Sequence, residues 1–240
     1  MHGGCVEGEL LRLVESQEQV ATTSLVDDLA EQSVLEDLLE AATPPRRPGT
    51  AGMHYLLASP FRYPPLHHGS RFGSRCEPGI FYGAQELTTA LAEGAYYRLV
   101  FWTAMSTPPP SARLLTQHTV YRARYRAERG LRLQGPPCAA YEPILRHPTD
   151  YVPTQRLGRA LRDAGVALVE YRSARDPAGG INVAVFEPTA LVSRRPLDPQ
   201  AWLCETRADR VVYSGPRGRA VHAFALTQFA VAGRLPLPAV

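Results

Sequence analysis

The sequence contains no lysine, so all 26 residues counted as lysine or arginine are arginine. A GC-rich genome is the simpler explanation for this bias, but its physical consequence holds either way. An arginine side chain stays charged at every physiological pH and binds a phosphate through two parallel N–H donors. A basic surface made only of arginine is therefore well suited to contacts with a diphosphate.

Long apolar runs are also absent. No stretch approaches the roughly 18 apolar residues that a membrane-spanning helix needs. The N-terminus lacks the basic region and apolar core that mark a secretion signal. We therefore expect a cytoplasmic protein that does not cross a membrane.

Cysteines are few and isolated. The four positions are Cys5, Cys76, Cys138 and Cys204, with no C-x-x-C pair and no histidine at ligand spacing. This pattern does not favour a zinc site, and reduced thiols are the default in a cytoplasm. We therefore expect no metal in this protein.

The overall composition is that of a globular protein, with 45% hydrophobic and 20% charged residues. With 22 prolines and 19 glycines, loops and short strands should be plentiful. Many short strands with two or three helices predict an α+β fold with a curved, mostly antiparallel sheet.

Charge is unevenly distributed along the chain. Residues 1–43 hold ten acidic residues and a single basic one, Arg12, whereas the whole chain has a net charge of +3. An acidic segment beside a basic body suggests that the two make contact, or that the segment docks a partner.

This acidic segment predicts two amphipathic helices, at 8–19 and 24–42, followed by a Pro-rich linker. We therefore divide the chain into a helical N-terminal extension with its linker, residues 1–50, and a body, residues 51–240. The extension could be a helical hairpin packed on the body, or an element for oligomerisation or partner binding.

Hydrophobic patterning predicts the elements of the body. The expected strands lie at 80–82, 99–102, 119–126, 166–171, 181–186, 202–206, 210–213 and 220–225. The expected helices lie at 85–97 and 154–164, the second capped by Thr154. No internal repeat is visible.

The strand at 119–126 alternates tyrosine and alanine with arginine, which places Arg122, Arg124 and Arg126 on one face. Such a stripe is usually a solvated face, although basic residues interleaved with tyrosine can bind nucleic acid. No helix-turn-helix, RNP or zinc-finger pattern supports the second interpretation. We therefore expect no direct nucleic-acid binding.

One stretch concentrates the chemical information: "GSRF" at 69–72, "GIFYGA" at 79–84 and "TTALAE" at 88–93. On the predicted helix, Glu93 shares a largely uncharged face with Thr89, Ala90 and Tyr97. A carboxylate on such a face must be hydrogen-bonded or directed into a cleft. Glu77 and Glu86 lie nearby, at positions where exposed residues are expected.

These blocks, together with "YRSARDPAGGINVAVFEP" at 171–188, resemble the RES-domain toxins of bacterial type II toxin–antitoxin pairs. The matching residues are Arg71, Tyr82, Glu93 and Ser173, and the resemblance covers about residues 54–188. It implies the split-sheet fold of the diphtheria-toxin-like ADP-ribosyltransferases, in which the sheet cradles NAD.

The resemblance also implies residue roles. Glu93 would be the carboxylate beside the ribose, Tyr82 would pack against nicotinamide or ribose, Arg71 would hold phosphate or ribose, and Ser173 would hydrogen-bond within the site. To these we add Arg62, from the neighbouring "PFRYP", as a second cation for NAD. Cleavage of the nicotinamide–ribose bond needs no metal, because the cationic leaving group departs neutral and the sugar becomes oxocarbenium-like.

The implied function is a growth-arresting toxin that cleaves NAD and passes ADP-ribose to a protein. The acidic arm and the "PFRYPP…GSRF" form resemble the longer branch of the family, for which phosphoribosyl pyrophosphate synthetase is an implied acceptor. An alternative is an NAD-degrading phosphorylase or glycohydrolase, and another is a non-catalytic nucleotide- or RNA-binding module. The implied partner is an Xre-type helix-turn-helix antitoxin that covers the NAD cleft.

Overall fold

The computed structural model of the protein describes residues 4–16, 31, 34–35, 38, 43–65 and 67–237. Eight strands are present in these residues: β1 Gly4–Glu15, β2 Phe81–Ala84, β3 Leu114–Arg132, β4 Leu168–Arg172, β5 Ile181–Val185, β6 Leu197–Thr206, β7 Arg210–Ser214 and β8 Val221–Ala225. The helices are α1 Tyr55–Arg62, α2 Leu87–Thr103, α3 Glu142–Leu145, α4 Val152–Asp163 and α5 Leu226–Phe229. In this part of the chain, no helix has the length and apolar character needed to cross a bilayer.

The eight strands form one sheet in the order β1-β2-β5-β4-β3-β6-β7-β8, and β1 also pairs with β3. Only β3 and β4 pair in parallel, and every other described pairing is antiparallel. With helices flanking this sheet, the predicted α+β class and mostly antiparallel pairing are confirmed.

Strand β3 carries the predicted alternation. Tyr121 and Tyr125 are buried, whereas the arginines between and after them are exposed. The arginines face acidic residues of β1, with Arg122 2.6 Å from Glu9 and Arg126 3.3 Å from Glu7. The stripe is thus a solvated, ion-paired face, in agreement with the simpler of the two interpretations.

The acidic N-terminal segment differs from its prediction. Residues 8–15 are part of strand β1, which runs beside β3 from Gly4↔Gly130 to Glu15↔His118. The predicted helix is therefore wrong over these residues, which belong to the sheet and not to a helical extension. The leucines at 10, 11 and 13 fit both the periodicity of a helix and that of a strand. Pairing with the distant β3 decides for the strand. The helix expected at 24–42 lies mostly outside the described residues; 31, 34, 35 and 38 are helical.

Two further predictions need correction. Residues 99–102 do not form a strand, because α2 continues to Thr103 and buries Leu99 and Trp102 on one helical face. Thr154 does not cap its helix, since α4 begins at Val152 and Thr154 lies in its first turn. The other strands expected in the body are confirmed, with shifts of a few residues at their ends.

The sheet opens where β1 meets β2. These two strands share a single register pair, Leu11↔Ala84, whereas β1 follows β3 along its whole length. Helix α2 packs over this point, and a Cβ added to Gly94 would lie only 2.5 Å from the side chain of Leu13. The opening between β1 and β2 is the split of the sheet, and a cavity lies there.

Candidate active site

The cavity has a volume of about 630 Å³. Its walls come from β1, β2, β4, β5, α1, α2, the segment between α1 and β2, and Tyr151 just before α4. The polar and aromatic residues that line it include Arg12, Arg71, Tyr82, Glu93, Tyr171 and Asn182. The structure thus brings the predicted Arg71, Tyr82 and Glu93 together from a loop, a strand and a helix.

Among the described residues that line this cavity, Glu93 is the single carboxylate. Its Oε1 atom accepts hydrogen bonds from Ser173 Oγ and from Asn182 Nδ2, both at 2.6 Å. Hydrogen bonds to a charged acceptor are shorter and stronger than neutral ones. Oε2 has no hydrogen-bond partner among the described residues. One oxygen is therefore fixed by the protein and the other is left for a ligand.

Ser173 is completely buried and does not line the cavity. Its Oγ accepts hydrogen bonds from the backbone N–H groups of Arg175 and Asp176, both at 3.0 Å. A hydroxyl has one proton to donate, and here that proton goes to Glu93. Ser173 therefore orients the Glu93 carboxylate from outside the cavity, and its predicted binding of NAD stays a prediction.

The loop that carries Ser173 is fastened to α2. Asp176 Oδ2 accepts hydrogen bonds from Thr89 Oγ1 at 2.7 Å and from the Gly180 N–H at 3.3 Å. A Cβ at Gly180 would lie 2.0 Å from Thr89 Oγ1, so this close approach requires glycine. Thr89 and Glu93, one helical turn apart, thus both bind this loop.

Tyr82 ties the "GSRF" segment to β2. Its hydroxyl donates to Ser70 Oγ at 2.9 Å and accepts from the Phe72 N–H at 3.2 Å. Burial raises the pKa of Tyr82 to about 12, so the phenol is neutral at physiological pH. Its ring forms part of the cavity wall, where the predicted stacking role would place it.

Arg71 places a guanidinium group at the cavity. Its Nη1 donates to the carbonyls of Leu145 at 2.9 Å and His147 at 3.1 Å. The guanidinium carbon lies 4.7 Å from the centre of the Tyr151 ring. In the described part of the chain it forms no ion pair with a carboxylate. Its charge is therefore oriented by carbonyls and a ring, and is available to an anionic ligand.

Other predicted candidates lie elsewhere. Arg62, at the end of α1, donates to the Pro44 carbonyl and is not among the lining residues. Glu77 pairs with Arg159 and Arg162, and neither it nor Glu86 lines the cavity. Glu93 is thus the carboxylate that the fold directs into the cavity.

Arg12 was not predicted as a site residue. Strand β1 carries it to the cavity, where Nη1 donates to the Tyr82 carbonyl and the guanidinium lies 4.8 Å from the Phe81 ring centre. Its buried Nε has no hydrogen-bond partner among the described residues. The one available signal was its isolation as the sole basic residue of the acidic segment.

Asn182 was also missed. It lies on β5 opposite Ala84 of β2 and Tyr171 of β4, so strand pairing aligns the three along one cavity wall. Its position inside the "GGINVAVFEP" block gave no separate indication of a role. Pairing of β5 with the neighbouring β4 and with the distant β2 is what directs its amide toward Glu93.

In the described residues, no group of three or more His, Cys, Asp and Glu side chains is placed to hold a metal. The four cysteines are free thiols; Cys5 and Cys76 are exposed, whereas Cys138 and Cys204 are buried.

One of three comparisons with known proteins, the match to a family model, agrees with the resemblance found in the sequence. A search of curated proteins gives no significant match. Among solved structures, a chain of the M. tuberculosis MbcT–MbcA toxin–antitoxin complex is similar at 10% identity and a TM-score of 0.48, covering 86% of this chain and 88% of that one. The sequence model of the RES domain matches residues 44–206, well over half of the chain. The chain therefore belongs to the RES domain family.

Proposed function

We propose that this protein is the toxin of a toxin–antitoxin pair and cleaves NAD at the nicotinamide–ribose bond. The observation that supports this most is the arrangement of Glu93, which lines the cavity with Oε1 fixed by Ser173 and Asn182 and Oε2 unpaired among the described residues. A fixed carboxylate beside the scissile bond stabilises positive charge that develops on the sugar.

The character of the cavity suits NAD. Its volume of about 630 Å³ lies within the range of pockets for small ligands. Arg71 and Arg12 provide cationic donors for the diphosphate, and the rings of Tyr82 and Tyr171 provide flat apolar surface for nicotinamide. The buried Oδ1 of Asn182 lacks a donor among the described residues, which a ligand hydroxyl or amide would supply.

The chemical step follows from these groups. The bond between C1′ of the ribose and the pyridinium nitrogen breaks, and both of its electrons go to that nitrogen, so nicotinamide leaves neutral. The sugar acquires oxocarbenium character. Glu93 Oε2 accepts a hydrogen bond from a ribose hydroxyl and stabilises this charge, while Arg71 holds the phosphate end. An acceptor nucleophile then forms the new bond to C1′.

We propose a protein as the acceptor of ADP-ribose. Tyr63 and Tyr97 line the cavity and are 49% and 43% exposed. Exposed aromatic residues are enriched where proteins contact one another. The same rim would receive an antitoxin that covers the cavity, and we propose an Xre-type helix-turn-helix protein for that role, in the bacterial cytoplasm. Phosphoribosyl pyrophosphate synthetase stays the acceptor that family resemblance suggests.

A nucleotide- or RNA-binding module without catalysis is less well supported. Binding alone does not require a carboxylate fixed on one oxygen inside the cavity. The arginine stripe of β3 is paired with Glu7 and Glu9, which reduces its attraction for phosphates.

The test is to incubate the purified chain with NAD labelled in the adenosine half, with and without bacterial lysate. We expect nicotinamide release without nucleic acid, and label on a discrete protein band when lysate is present. Label found only in free ADP-ribose or its phosphate would replace transfer with NAD degradation. Absence of nicotinamide release under both conditions would contradict the proposed reaction.

A further inference from the structure

Asn182 lines the cavity and carries a buried oxygen that is unsatisfied among the described residues. The residue is only 4% exposed, yet it lines the cavity. Its Nδ2 donates to Glu93 Oε1 at 2.6 Å, while its Oδ1 is buried and without a hydrogen-bond partner among the described residues. Native proteins rarely leave a buried carbonyl oxygen without a donor, so a missing donor is indicated here.

The orientation of this amide is fixed by its neighbour. Oε1 of Glu93 already accepts the Ser173 proton, so it cannot also donate to an amide oxygen. The nitrogen of Asn182 is therefore the amide atom that bonds to Glu93, and the oxygen is the amide atom left without a partner among the described residues. Exchange of the two amide atoms would place two acceptor oxygens against each other, so it is ruled out by chemistry.

We infer that Asn182 Oδ1 accepts a hydrogen bond from a ribose hydroxyl of the substrate, adjacent to the hydroxyl bound by Glu93 Oε2. This inference rests on the proposed NAD cleavage. The amide is planar and its nitrogen binds the carboxylate, so its oxygen lies beside that carboxylate. Two neighbouring acceptors match the two neighbouring donors of a ribose diol. Asn182 is then a specificity-determining residue as well as a holder of Glu93.

The two functions of Asn182 can be separated because the chain offers a matched control. Ser173 donates to the same oxygen of Glu93 at the same 2.6 Å, but it does not line the cavity. Asn182→Ala removes one anchor of Glu93 and the free acceptor. Ser173→Ala removes the other anchor and leaves the acceptor in place.

The experiment measures kcat/KM for nicotinamide release from NAD and from analogues that lack the 2′- or the 3′-hydroxyl of the nicotinamide ribose. Discrimination is the ratio of kcat/KM for NAD to that for each analogue. A missing hydroxyl also changes the intrinsic reactivity of the analogue. This change is the same for every protein, so it cancels when the discrimination against one analogue is compared between wild type and a variant. Nicotinic acid adenine dinucleotide is the third substrate, because it replaces the carboxamide and keeps both hydroxyls.

For one of the two deoxy analogues, we expect discrimination to be roughly 10- to 100-fold lower in Asn182→Ala than in wild type, the range that loss of one buried hydrogen bond gives. Ser173→Ala should keep the wild-type ratio although its kcat falls. Circular dichroism confirms folding, and Asn182→Leu, of similar size, replaces the alanine variant if that one is unfolded.

Three results would overturn the inference alone. Equal loss of discrimination in Asn182→Ala and Ser173→Ala, or no loss in either, would mean that Asn182 acts only by holding Glu93. A changed preference against the nicotinic acid analogue, without a change for the deoxy analogues, would mean that Oδ1 binds the carboxamide. A wild-type protein that releases no nicotinamide would overturn the proposed function together with this inference.

Discussion

The hydroxyl of Ser173 donates to Glu93 Oε1 at 2.6 Å, across 80 positions of sequence. Because two backbone N–H groups occupy the lone pairs of that hydroxyl, its proton has one destination. The loop after β4 thus sets the orientation of a carboxylate on α2. This relationship leaves Oε2 as the oxygen available for chemistry.

Glu93→Gln should keep the fold and lose the reaction. The glutamine carbonyl can take the place of Oε1 and accept from both Ser173 and Asn182, whereas an NH₂ replaces the free Oε2. We expect the free energy of unfolding to change by less than about 1 kcal/mol and nicotinamide release to fall at least about 100-fold. Thermal melting and a nicotinamide assay check the two parts. Turnover at the wild-type rate would remove Glu93 from the mechanism.

Ser173→Ala should reduce both stability and rate. The change leaves the N–H groups of Arg175 and Asp176 unsatisfied and releases one anchor of Glu93. We expect a loss of roughly 1–3 kcal/mol in the free energy of unfolding, measured in urea, and a lower kcat. The control is Ser111→Ala, whose hydroxyl is exposed in a loop. A Ser173→Ala protein as stable as this control would contradict the buried network.

Arg71→Lys should weaken NAD binding although it keeps the charge. Nη1 of the guanidinium donates to the Leu145 and His147 carbonyls, and its other nitrogens can face a ligand. An ammonium has a single nitrogen and cannot do both. We expect Kd for NAD to rise about 10-fold or more, measured by calorimetry in the Glu93→Gln background to prevent turnover. Arg126→Lys, on the exposed face of β3, is the matched control and should bind as before.

Arg12→Met tests whether strand β1 completes the site. Methionine keeps the apolar stem over Phe81 but loses the donor to the Tyr82 carbonyl and the charge at the cavity. We expect KM for NAD to rise roughly 10-fold with a smaller change in kcat. Glu9→Gln alters a partly exposed residue of the same strand that does not line the cavity, and it should leave KM unchanged. Equal KM values for the two variants would mean that Arg12 does not contact substrate.

His118 should make stability depend on pH. Burial, and then the nearby Arg98, lower the pKa of His118 to about 4, below its ordinary value of 6.5. The folded state therefore prefers the neutral ring. Its contribution is complete above pH 6.5 and is lost as pH falls from 6.5 toward 4, by roughly 3 kcal/mol at most.

The measurement for His118 is urea unfolding of wild type and His118→Gln at several pH values. Carboxylates titrate in the same window, but their effect is common to both proteins and cancels in the comparison. A constant difference in the free energy of unfolding between pH 7 and pH 4 would show that His118 does not titrate on unfolding.

Local sequence patterns predicted the secondary structure correctly wherever one periodicity dominated. The alternation of Tyr121 to Arg126 marked β3 correctly, because an apolar face and a charged face cannot both be buried. The stretch from Leu99 to Trp102 failed because a short apolar run fits a buried strand or a buried helix equally well. The helix predicted over residues 8–15 was wrong for the same reason. Only their pairing with β3 decided between helix and strand.

The sequence by itself determined the family, the α+β class and three residues that line the cavity: Arg71, Tyr82 and Glu93. These depend on local blocks whose order and spacing can be compared directly. Tertiary structure alone decided that β1 brings Arg12 to the cavity, that Asn182 faces Glu93, and that Ser173 orients the acid from outside the cavity. The reason is that strand pairing and hydrogen bonds join groups 70 to 89 positions apart, and a linear pattern carries no record of which distant partner satisfies which polar atom.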